Sequence, residues 1–181
     1  GNKNNGKLIV SGIMQRASSD GDENFNQNGR SYPLPILKKE TENYKNTFVK
    51  ERRALGELDH PDSQVVNLSN VSQNVLDLWW QGNDLMGKIE ILSTPSGNIA
   101  KELMKSGIRL GISSRGMGSV KELGEGKVEV QNDFEIVCWD LVSNPSTQGA
   151  FMNQSLNEGV NSSNNKHSKI HSLISEIISV M

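Results

Sequence analysis

The strongest constraint on this chain's fold is a hairpin at residues 71–92. Residues 71–80 suit a strand, Gln81-Gly82-Asn83-Asp84 is a turn, and residues 85–92 return with Met86, Lys88 and Glu90 alternating against Gly87, Ile89 and Ile91. Alternation at period two beside a short turn predicts antiparallel pairing. Residues 8–14 read as a buried strand, 54–58 as a short one, 109–120 as an extended, glycine-interrupted segment, and 127–130 and 134–142 as further strands. Two stretches have helical spacing instead. One follows Pro33-Leu34-Pro35 and carries Ile36, Leu37, Tyr44, Phe48 and Val49. The other runs to about Lys105, capped by Thr94 or Ser96, with Ile99, Leu103 and Met104 on its buried side and Gly107 as its stop. The expected class is α+β, dominated by antiparallel strands.

Length and composition set the domain plan. A chain of 181 residues predicts one domain and a tail. A body of about 150 residues buries roughly 70% of its unfolded surface, enough for its own core. After Pro145 the composition changes, and residues 153–168 are nearly all polar or small, as in a flexible linker. Ile170, Leu173, Ile174, Ile177 and Ile178 then form an apolar stripe at helical spacing, suited to meeting a partner or docking on the domain. The expected division is a domain at 1–151 and a linker with an amphipathic helix at 152–181. A net charge of -2 gives no basic footprint for nucleic acid. No apolar run reaches the ~20 residues of a membrane span, and no signal-peptide pattern opens the segment. The single cysteine, Cys138, allows no internal disulfide and fits a reducing cytoplasm.

The chemistry centres on one histidine. His60, in GELDHP (residues 56–61), is the only imidazole before residue 167, and GISSRGMGS (111–119) supplies two serines among glycines. A serine hydroxyl needs a base to become a nucleophile near neutral pH, and imidazole is the side chain best tuned for that. Ser113 and Ser114 are the candidate nucleophiles, and strand alternation lets only one face a given site. Glycines 111, 116 and 118 permit close backbone approach and could bind an oxyanion, with Arg115 adding positive charge. Asp140, in CWDLVSNPS (138–146), is a carboxylate in an apolar strand and needs a partner there. That partner is His60, making Asp140 its orienting group, or a cation such as Arg109 or Arg115. Glu57 is the reserve candidate for the same role. Cys138 shares the face of Asp140, either as a partner of His60 or as a small buried hydrophobe. Asp59, His60 and Asp62 together could instead hold a metal, which would normally want further His or Cys ligands. Trp79 and Trp80 read as core and sheet face.

Five segments, spread in order over residues 8–151, resemble a known family: NQNGRSYP (26–33), ALGELDHP (54–61), DLWWQGNDLMGKIEIL (77–92), GISSRGMGS (111–119) and WDLVSNPS (139–146). They resemble the prohead (procapsid) maturation serine proteases of large contractile-tailed bacteriophages, related in fold to the herpesvirus assemblins. The resemblance implies a small, mostly antiparallel β-barrel flanked by helices. It implies His60 as general base and Ser113 as nucleophile, with Ser114, Arg115 and Gly116 as the oxyanion or substrate-binding group. Assemblins use a second histidine where this chain offers Asp140. The implied substrates are the prohead scaffold or core proteins, the capsid protein's N-terminal segment and the protease itself, inside proheads assembling in the host cytoplasm. No metal or cofactor is required. Leu156-Asn157-Glu158 and Ile174-Ser175-Glu176 fit the family's preference for cleavage after Glu and suggest autoprocessing, with self-association through the tail. The alternatives are a non-catalytic scaffold protein acting through its terminal helix, and a metal-dependent hydrolase built on Asp59, His60 and Asp62.

Overall fold

The computed structural model describes residues 6–154. In chain order the strands are β1 (Leu8–Arg16), β2 (Arg30–Ser31), β3 (Leu55–Glu57), β4 (Val71–Gln81), β5 (Asp84–Ile91), β6 (Gly111–Met117), β7 (Val120–Gly124), β8 (Lys127–Val130), β9 (Glu135–Val142) and β10 (Asn153–Gln154). The helices are α1 (Leu34–Tyr44), continued by a π-helical turn over Lys45–Val49, and α2 (Pro95–Lys105). The expected hairpin is the β4–β5 pair, running from Gln73↔Ile91 to Gln81↔Asp84 with a bulge between Val75 and Asp77. It forms the middle of an antiparallel sheet ordered β10-β1-β5-β4-β3. β6 and β9 make a separate antiparallel pair, and β2, β8 and β7 a small third sheet.

The α+β class is therefore observed, but these ladders form three sheets rather than one continuous barrel among the described residues. Two single bridges span the gaps. Leu58, just after β3, pairs with Leu141 of β9, and Gly111 of β6 pairs with Phe151, just before β10. β3 and β10 are the two edge strands of the five-stranded sheet. The folded body also reaches further than 151, because Met152 is buried and β10 pairs with β1. The apolar stripe and the two Glu sites of the tail lie outside the described residues.

Local sequence explains both helices. α1 buries Leu37, Thr41 and Tyr44, one stripe at i, i+4 and i+7. In α2 the Thr94 side chain accepts a hydrogen bond from Gly97 N–H at 3.0 Å, and Pro95 opens the first turn. Its far end closes in a Schellman motif, with Gly107 (φ 79°) N–H bonded to Met104 O and Ile108 N–H to Leu103 O. Ile99 departs from expectation. The buried residues are Ser96, Gly97 and Ala100, whose small side chains let α2 lie close on the sheet, while Ile99 is exposed.

Trp139 of β9 is fully buried at the centre of the core, edge-on to Tyr44 with ring centroids 5.0 Å apart. Val10, Met14, Leu78, Leu85, Ile89, Ile112 and Leu141 belong to the same cluster. Burying each such side chain contributes about 1.5–3 kcal/mol. Trp79 and Trp80 are half-buried, and Trp80 packs against the core with the Lys38 ammonium over its ring.

Candidate active site

The turn carrying His60 is fixed to β9 almost residue by residue. A Cβ on Gly56 would lie 1.9 Å from Trp139 O and 2.2 Å from Gln73 Nε2, so only glycine lets β3 pass this close to β9. Gln73 Nε2 donates to the same Trp139 carbonyl at 2.9 Å. Further along, Asp59 N–H donates to Leu141 O at 2.7 Å. Asp59 adopts φ 70°, a left-handed conformation that Asp tolerates better than most residues. Its Oδ1 accepts the His60 backbone N–H at 2.9 Å, which holds the turn.

Across the β6–β9 pair, Ser113 lies opposite Asp140 and Arg115 opposite Cys138. Directly opposed side chains share a face, so these four stand together. Ser114 lies opposite Trp139, on the face of Ile112 and Leu141, which belongs to the core. A register shift follows Arg115 and leads into Gly116, where a Cβ would meet the Phe134 ring at 2.5 Å. His60, Asp62, Ser63, Arg115, Gly116 and Val137 are among the residues lining a cleft of about 700 Å³.

Asp140 has no exposed surface and is surrounded by donors. His60 Nδ1 lies 2.8 Å from Oδ2, and Arg115 Nε donates to the same oxygen at 2.6 Å. Oδ1 accepts from Arg115 Nη2 at 3.1 Å, Glu57 N–H at 2.9 Å and the Cys138 thiol at 3.4 Å. Burial alone would push this carboxyl up. The hydrogen bonds from His60, Arg115 and the Glu57 N–H, with the guanidinium's charge, more than reverse that and hold it below the usual carboxylate range. An ionised carboxylate only accepts, so His60 Nδ1 carries the proton and Nε2 is the nitrogen left for chemistry. Burial, followed by the neighbouring Asp140 charge, pushes the Cys138 thiol far up, so it stays protonated as a buried hydrophobe does.

Glu57 does not touch His60. Its carboxylate accepts from Arg115 Nη2 at 2.7 Å, from Asn67 N–H at 3.1 Å and from Asn70 Nδ2 at 3.2 Å. Of the sequence candidates, His60, Asp140, Arg115 and Glu57 thus form one cluster. Ser113 is buried on the same face, and its hydroxyl is bonded to Ser146 Oγ at 2.9 Å. Nothing local in the sequence marks Ser146, the last residue of the WDLVSNPS segment; its nearness to Ser113 comes from the chain returning after β9. Asn67 and Asn70, which seat Glu57, were likewise unmarked. The side chains of Asp59, His60 and Asp62 do not converge, and no group of three or more potential metal-ligating side chains occurs among the described residues.

A buried carboxylate on an imidazole, opposite a serine across a strand pair, is the framework of a hydrolytic site. The chain belongs to the prohead core protein serine protease family, which matches residues 3–163. It is thus a peptidase of phage capsid maturation, as the sequence motifs led us to expect. It is 34% identical over 149 residues to the prohead core protein protease of Enterobacteria phage T4, covering 80% of this chain and 68% of that one. It is also similar to a solved structure, that of the bacteriophage T4 capsid assembly protease, gp21. The TM-score is 0.68 with 31% identity, covering 75% of this chain and 81% of the other. Among the described residues no helix is long and apolar enough to cross a membrane.

Proposed function

We propose that the chain is a serine endopeptidase in which Ser113 is the nucleophile, His60 the general base and Asp140 the group that orients the imidazole. The observation that carries this is the bond of His60 Nδ1, on the exposed turn, to the fully buried Asp140 at 2.8 Å, with Ser113 directly opposite Asp140 in the strand register. Ser113 Oγ exchanges its bond to Ser146 for one to His60 Nε2 and passes its proton there as it attacks the scissile carbonyl. The tetrahedral intermediate expels the amine, which takes the proton from the imidazolium. Water then hydrolyses the acyl-enzyme by the same route in reverse. Ser114 suits this role less, since its strand face is that of Ile112 and Trp139. Arg115 has its N–H groups engaged by the protein, so backbone N–H groups around Ser114 and Gly116 are the better oxyanion donors.

The bridges Leu58↔Leu141 and Gly111↔Phe151 support an assemblin-like barrel, because they join the β6–β9 pair to both edges of the larger sheet. The substrates are the prohead scaffold or core proteins and the capsid protein's N-terminal segment, cut inside the prohead in the host cytoplasm. Self-association and autoprocessing after Glu158 and Glu176 complete the proposal. Co-expression with a prohead scaffold protein tests the mechanism. Ser113→Ala and His60→Ala should each leave the scaffold uncut in a protein that still folds, as read by circular dichroism. Cleavage by Ser113→Ala would overturn the assignment, and its loss in Ser114→Ala alone would move the nucleophile by one residue.

A further inference from the structure

The sequence suggests Arg115 as a positive charge near an oxyanion, and the structure engages its N–H groups with the protein itself. Its side chain is 6% exposed, and its N–H groups make five contacts with protein acceptors. Nε and Nη2 grip both oxygens of Asp140, at 2.6 and 3.1 Å. Nη2 also reaches Glu57 at 2.7 Å, and Nη1 holds the carbonyls of Ser63 at 2.9 Å and Val65 at 3.4 Å. A two-point grip fixes the plane of a carboxylate as well as its charge. We propose that Arg115, seated by Glu57, is a positioning residue that aims Asp140 at the His60 imidazole and ties the cleft wall at Ser63 to the same point.

The proposal rests on the serine-peptidase reading of this site. With Arg115, Asp140 and Glu57 charged, the buried cluster carries one net negative charge, and an imidazolium at His60 would balance it. Without the guanidinium the imidazole would face two unbalanced carboxylates and would hold its proton too tightly to act as base near neutral pH. The other groups around it do not replace that charge. Tyr44 on α1 and Cys138 on β9 are kept protonated by burial, and Asp59 and Asp62 on the exposed turn are acidic. Fixing Ser63 and Val65 couples the base's aim to the cleft, so one side chain governs both proton transfer and substrate seating.

Three variants test this: Arg115→Gln, Glu57→Gln and Arg115→Lys, each read by NMR titration of the His60 imidazole and by the pH profile of kcat/KM. Arg115→Gln should move the imidazole titration and the acid limb of the profile to higher pH. Glu57→Gln, which removes a negative charge, should move both to lower pH. Arg115→Lys keeps the charge but loses the fork, so its acid limb stays near that of wild type while kcat/KM falls about 10²-fold with a raised KM. Opposite shifts in the Gln variants are what any charge this close to the imidazole would give. The aiming role is therefore decided by Arg115→Lys, where a merely structural cation would leave kcat/KM and KM near wild type. Unmoved titrations in folded variants overturn the proposal. Wild-type kcat/KM and KM in Arg115→Lys overturn it whether or not the Gln variants fold. The NMR titration needs no turnover, so failure of the Ser113 assignment would be recognised separately in the scaffold assay.

Discussion

Asp140 shows what a single buried ion demands of its surroundings. Moving a carboxylate out of water costs several kcal/mol unless it is paired and hydrogen-bonded, and here five donors supply that. Its folded pKa is depressed. The stability it contributes is therefore present above the ordinary Asp value of about 3.9 and lost as pH falls through the lower folded value. Two outcomes follow for Asp140→Asn. Its kcat should drop by about 10⁴-fold, because an amide favours the wrong imidazole tautomer, and near-normal turnover would remove Asp140 from the mechanism. Its urea midpoint should also fall less between pH 6 and pH 3 than that of wild type. The sequence marked this residue because an ion inside an apolar strand needs a partner. It offered His60 and Arg115 as alternatives, and the fold supplies both, since only the β6–β9 register shows that one carboxylate reaches the two at once.

At the level of elements, β3 is the part whose sequence does the most. It is three residues long, yet Gly56 admits it against the Trp139 carbonyl, Glu57 seats Arg115, and the following turn carries His60. Gly56→Ala should push β3 off β9, lower the melting temperature and abolish scaffold cleavage with every proposed active-site side chain still present. Wild-type stability in that variant would show that β3 can shift without cost. The elements legible in the sequence were those with a local signal of their own, namely β1, β3, the β4–β5 hairpin, β6, β8, β9 and the two helices. β2 and β10 were not, because each is two residues long and exists only through a partner distant in sequence. Ile99 misled for a related reason. Spacing identifies an apolar stripe but does not say that small residues would form the face that touches the sheet.

Across the whole molecule, the proposed site lies where the β6–β9 pair meets the edge of the five-stranded sheet. Residues 57–60, 113–115 and 138–140 are far apart in the chain, and the core around Trp139 brings their strands together. His60 and Asp140 could be nominated from composition and local pattern, but the bond between Ser113 and Ser146 depends on three-dimensional closure alone. The central claim is that the hydroxyl at 113 is the reacting atom and that His60 activates it. The most direct measurement is to treat the purified protein with a fluorophosphonate and locate the adduct by peptide mass spectrometry. The adduct should sit on Ser113 and be absent from the His60→Ala protein. An adduct on Ser114, or no serine adduct in a preparation that cuts scaffold, would contradict the account.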